Sequence, residues 1–181
     1  MESSTLNQEL AIGPEDLINQ FESSLSEGLE NTQENREQYI NYMEAMALKA
    51  ITEDESLNCD FPLTHTFTPG LYLRQMFAPK GSMVFSRRHL TEHPFIVLSG
   101  VADVFDEQNG SVTRISAPFV GISKVGARRF AHILEDLTWI TAHATDMTDP
   151  DEIIDTITSH DNPMMPSDYV GPAFERKGRN K

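Results

Sequence analysis

From Phe61 to His143 the chain is a succession of short β-rich runs separated by turn residues at regular intervals, and this texture limits the possible folds more than any other feature. The runs are His65–Thr68, Leu71–Phe77, Met83–Arg88, Phe95–Leu98, Val101–Asp106, Val112–Ile115, Phe119–Ser123, Arg128–Leu134 and Leu137–His143. Pro69-Gly70, Pro79-Lys80-Gly81, Ser99-Gly100, Asn109-Gly110 and Val125-Gly126 fall between them. Asn109-Gly110 is the strongest hairpin signal, because both residues tolerate positive φ. Eight or nine strands with no helix between them predict a mainly β fold, an antiparallel jelly-roll barrel, and argue against alternating βαβ units. Inward strand positions of such a barrel need large side chains, so Phe119, Phe130 and Trp139 are assigned to its core.

The flanks differ from this middle. Pro14-Glu15-Asp16 reads as the first turn of a helix, with Leu17, Ile18, Phe21 and Leu25 on one stripe and Glu27-Gly28 at its end. A second helix begins near Asn31-Thr32, carries Ile40, Met43, Ala47 and Ile51 on one side, and stops before Asp54. Asp151 to Ile157 reads as a short helix after Asp149-Pro150. Three regions follow: a helical acidic arm over 1–60, a β-barrel over 61–145, and a short acidic helix with a basic extended tail over 146–181. Residues 1–12 lack periodicity and read as a mobile terminus. No internal repeat is evident.

Charge sharpens this division. The chain carries 14 basic and 28 acidic residues, net −14. Residues 1–60 hold half of the acids against only Arg36 and Lys49, whereas the barrel region is net basic. So acidic a chain repels a phosphate backbone unless its positive charges gather on one face, which makes nucleic acid an unlikely partner. No run approaches the ~20 apolar residues of a membrane span, and Met1 to Leu10 lacks the features of a signal peptide. The single cysteine, Cys59, can neither form an internal disulfide nor supply a multi-cysteine zinc site. A cytoplasmic protein is the expectation. No nucleophile elbow, phosphate-binding loop, dinucleotide fingerprint or His-Glu-x-x-His helix is present, so no catalytic residue is assigned and the balance favours a non-enzymatic protein.

One segment, Gly81 to Gly100, carries the polar side chains on which binding chemistry could rest. In an unbroken strand Arg87, His89, Thr91 and His93 share a face, which would put two imidazoles side by side. Neutral imidazole is a good ligand for divalent transition metals, but most such sites need a third protein ligand. Glu92 has the opposite parity and reads as a surface carboxylate. The segment resembles the first motif of the cupin superfamily: a glycine, His-x-His, a glutamate about four residues later, and a glycine seven beyond. On that motif His89 takes the second histidine position, while Arg87 replaces the first histidine and His93 the glutamate. Lys124-Val125-Gly126-Ala-Arg-Arg129 resembles the second motif, with Arg129 where the fourth ligand would stand. His132 fits only with a longer gap, and has the opposite parity to Arg129.

The resemblance spans about residues 65–143 and implies a cupin-like barrel. Thr91-Glu92-His93-Pro94, Ala117-Pro118-Phe119, Val125 to Arg129 and Trp139 to His143 are also similar to small cupin-like proteins of tailed bacteriophages, which implies a viral protein carried on the virion. The first expectation is therefore a non-enzymatic protein acting through contacts in a homo-oligomer or with virion proteins, with the oppositely charged ends as contact arms. The alternative is a metal-dependent cupin enzyme or an anion binder: His89 and His93 hold a divalent transition metal in the barrel lumen, and Arg87, Arg129 and His132 contact the ligand. Arg87-Arg88 and Arg128-Arg129 form two pairs in which strand alternation sends one member inward and the other out. The outward members offer a surface on which the acidic arm could dock.

Overall fold

The computed structural model of the protein describes residues 14–59 and 61–159. Helix α1 (Pro14–Ser26) starts at the expected proline, and α2 (Gln33–Glu53) is capped by Thr32, whose hydroxyl accepts from the Asn35 amide. Seven strands follow: β1 (Leu63–Thr68), β2 (Leu71–Ala78), β3 (Met83–Phe85), β4 (His93–Asp106), β5 (Ser111–Ser116), β6 (Phe119–Ser123) and β7 (Arg129–His143). Helix α3 (Pro150–Ile157) closes the described chain, with the Asp149 carboxylate accepting from the Asp151 and Glu152 amides. The expected extended tail and the stretch before Pro14 lie outside the described residues.

All strand pairings are antiparallel, in the order β1-β2-β7-β4-β5, with β3 added to β7 and β6 to β4. The strands number seven because two pairs of expected runs merge: β4 runs through Ser99-Gly100, which reads as a turn in sequence, and β7 runs through the Glu135-Asp136 gap between two runs. Their mutual register shifts between Val97 and Ala102, and this irregular stretch divides the sheet. One wing holds β1, β2, β6, the first half of β4 and the second half of β7; the other holds β3, β5 and the remaining halves. Gly100 sits at the division with φ +89°, and a Cβ there would strike the backbone of Asp136 and Leu137. The two wings face each other around Ala78, Phe95, Val97, Ala102, Val104, Ile115, Ile133 and Leu137, giving a mainly β, antiparallel jelly-roll barrel.

The outer face of the second wing is also apolar, and helices cover it. Ile40 and Met43 of α2 pack on Phe105 and Phe130, with Leu25 of α1 at the margin. Tyr39 meets the Phe105 ring edge-on at 5.1 Å. Electrostatic contacts hold the same interface. Arg88 grips the fully buried Glu107 with both ends of its guanidinium, at 2.9 and 3.1 Å, and reaches Glu37 of α2 at 3.4 Å. Arg128 donates to Asn41 and to Glu44 of α2. The acidic helix is thus docked on its own barrel through the outward arginine of each pair. Buried, fully hydrogen-bonded ion pairs of this kind fix geometry more than they add stability.

The hairpin expected at Asn109-Gly110 is present, joining β4 to β5 through a four-residue connection in which only Gly110 has positive φ. Two local expectations are corrected. The third strand ends at Phe85, not Arg88. Phe119 is exposed, since β6 is an edge strand paired with β4 alone; Phe130 is fully buried, but on the outer face beneath α2 and not in the barrel core; Trp139 is partly buried against that core, stacked on Phe95 at 4.5 Å.

Candidate functional site

The inward side chains change character along the barrel axis. Around Ala78, Val97 and Leu137 they are apolar, whereas at the opposite end, where β4 begins and β7 finishes, they are histidine, arginine and tyrosine. Antiparallel register produces this grouping. Tyr72 pairs with His143, His65 with Arg74, Arg74 with Thr141, and Thr141 with Phe95. Two residues on from the Phe95–Thr141 pair, His93 and His143 stand side by side, their ring centroids 4.3 Å apart.

His89 reaches the same place by another route. Residues between β3 and β4 are not strand, so the even spacing of Arg87, His89, Thr91 and His93 does not operate as expected. Instead the loop is clamped at His89, whose amide donates to Ala127 O at 2.9 Å and whose carbonyl accepts from Gly126 N at 2.8 Å. It also forms a bridge with Thr158, just after α3, and the Leu90 amide donates to Ile157 O. The His89 ring ends 4.4 Å from that of His93, centroid to centroid. Helix α3 lies over this end of the barrel, packing Ile153 and Ile157 on Tyr72.

The three imidazoles are held neutral. Burial lowers the His89 pKa to about 3, with His93, Arg129, His143 and Arg74 adding charge repulsion. Burial, then His93 and Arg74, brings His143 down to about 4. His93 is lowered by burial and by Arg129, against a raising hydrogen bond at Thr91. Each ring keeps one nitrogen buried with no hydrogen-bond partner: His89 Nδ1, His93 Nε2 and His143 Nδ1. The other nitrogen of His93 donates to Thr91 O at 3.1 Å, which leaves Nε2 as a bare acceptor, and the other nitrogen of His143 pairs with Thr141 Oγ1 at 3.0 Å.

Arg129 borders the cluster, held by Asp106 at 2.7 Å and Ser123 at 2.8 Å, with its guanidinium 5.7 Å from the Phe95 ring centre. Arg74 is half-buried and its pKa is lowered, first by desolvation and also by the nearby Arg87, against a raising effect of Tyr72. Tyr72 Oη meets His65 Nδ1 at 2.7 Å. The field here is therefore positive without a positive imidazole.

Of the residues singled out in the sequence, His89, His93 and Arg129 come together, and Arg87 stands beside Arg74. His132 does not join them. It shares its face with Phe130 and Met83, on the side that α2 covers, because its parity is opposite to that of Arg129. Glu92 pairs with Lys124 at the surface at 2.8 Å. His143 and Arg74 were not picked out as site residues; their signal lies in cross-strand register, which spacing within one segment does not carry. Among the described residues no group of three or more His, Cys, Asp or Glu side chains is set to hold a metal ion, and the Arg129 guanidinium adds charge repulsion at the cluster.

No protein-family model and no curated protein matches the chain. Among solved structures it is similar to a Klebsiella pneumoniae protein with a double-stranded β-helix domain, at 23% identity and TM-score 0.42 over 48% of this chain and 78% of that one. It is also similar to the cupin domain of Schizosaccharomyces pombe Cnp3, at 18% identity and TM-score 0.40 over 49% of this chain and 70% of that one. A third is a predicted oxalate decarboxylase of Thermotoga maritima, at 16% identity and TM-score 0.41 over 49% of this chain and 84% of that one. The likenesses are distant, and the fold stated above rests on the strand pairing itself.

Proposed function

We propose that the protein binds a small hydroxycarboxylate at the histidine–arginine cluster beneath α3. The observation that supports this reading is the set of three neutral imidazoles, His93 and His143 buried and His89 half-buried, each with a buried unpartnered nitrogen and with Arg74 and Arg129 beside them. Each buried nitrogen without a partner costs about 1–3 kcal/mol, which a ligand reaching it would recover. A carboxylate suits the positive field and the N–H donors, and a hydroxyl suits the bare Nε2 of His93. Of the acids of the N-terminal arm, Glu37 and Glu44 of α2 are engaged by Arg88 and Arg128 of the same chain.

Calorimetric titration of the full chain with glycolate, and with acetate as the hydroxyl-lacking control, tests the proposal. Glycolate binding that exceeds acetate binding by tenfold or more, and that His143→Asn abolishes, supports it. Equal binding of both, or none by either, refutes it. Elemental analysis of protein purified without chelator checks the rival: one transition-metal ion per chain, lost in His89→Ala/His93→Ala, would overturn the anion reading.

A further inference from the structure

We propose that the outer face of the first wing is the interface of a symmetric homodimer. Inward and outward residues alternate along β1, β2, β4, β6 and β7, and a sheet with one solvated face should be polar on its outward positions. Here the outward positions are apolar or threonine except for the uncharged Gln75. Leu71, Phe77, Ile140, Leu98, Val120 and Ile122 lie on this side, with Val120 69%, Leu98 54% and Ile122 48% exposed. None of the outward positions of these five strands in this wing carries a charge, in a chain where 23% of residues are charged. The equivalent face of the second wing is apolar too, and α1 and α2 cover it. The first wing has no such cover among the described residues.

The occupant is a second copy of this chain. An uncharged face lets two molecules of net charge −14 meet where their repulsion is least, while the same net charge disfavours an anionic membrane surface. The face needs a flat, apolar partner, and the same face turned about a two-fold axis supplies one, sheet on sheet at ~10 Å. Five strands spaced by ~4.8 Å and about six residues long give a footprint of roughly 24 by 20 Å. That suits the apolar centre of a standard interface, which buries ~800 Å² per partner. Charges stand at its margin, with the Lys124–Glu92 pair beyond the end of β6, as expected of a polar rim.

Sedimentation equilibrium of the full chain against Val120→Lys/Ile122→Glu tests the inference. Both substituted side chains are exposed in the single chain, so the variant retains its fold, which far-ultraviolet circular dichroism verifies. The expected result is twice the 20.4 kDa chain mass for the parent and a single chain mass for the variant, with glycolate titration unchanged between them. A parent that sediments as a monomer at 100 µM, or a variant that stays dimeric, overturns it. So does a monomeric parent that co-sediments with neutral phosphatidylcholine vesicles, since the face would then belong to lipid.

Discussion

Acidification from pH 7.5 to 5.0 should destabilise the fold through the histidine cluster. His89 and His143 have folded pKa values of about 3 and about 4, against 6.5 in an unfolded chain. Between those limits the unfolded state binds more protons than the folded one, so stability is complete above about pH 6.5 and falls as pH drops. Each group loses about 1.4 kcal/mol per pH unit in that window, hence about 2 kcal/mol by pH 5.0, or about 4 kcal/mol for the two. A domain of ordinary stability has 5–15 kcal/mol to lose. Urea titrations followed by Trp139, which is stacked on Phe95, measure the change. Protonation of carboxylates also alters stability, so the comparison is with His143→Gln and with His89→Gln/His143→Gln. The parent should lose about 2 kcal/mol more than the single variant, and about 4 kcal/mol more than the double, over the same pH interval. Parallel losses in all three would refute the claim that these imidazoles are buried and neutral.

Two other substitutions probe the scaffold. Gly100→Ala places a Cβ against the Asp136 carbonyl at a positive φ, and should cost at least 3 kcal/mol in urea unfolding, more than a simple change of backbone entropy. Glu107→Ala leaves Arg88 without its buried partner, and should cost about 3–5 kcal/mol and raise amide hydrogen exchange in α2, where Gln33 also bonds to the Glu107 carboxylate.

The fold was largely legible because period-two patterning and turn residues are local properties. The limits of β2, β5 and β6 and the start of all three helices follow from them to within a residue or two. The merging of runs into β4 and β7 was not legible, since Ser99-Gly100 reads as a turn in isolation and becomes a bulge only because β7 is available to pair through it. The site was half legible. His89 and His93 share a segment, so their spacing could be read. His143 and Arg74 are distant in sequence, and only the register of β2 and β7 brings them in. The arginine pairs divide as expected, although Arg87 and Arg88 lie outside any strand and Arg128 precedes β7: Arg88 and Arg128 hold α2, while Arg129 borders the cluster. His132 stands apart from the cluster because its parity is opposite to that of Arg129.

Long-range ¹H–¹⁵N correlation of the histidine side chains during glycolate addition at pH 7 addresses the anion site most directly. Neutral tautomers at His89, His93 and His143 before addition, with ring shifts at those three residues alone as glycolate saturates, are the predicted result. Imidazolium signals in the free protein, or shifts spread over His65 and His132 with those three unmoved, would contradict it.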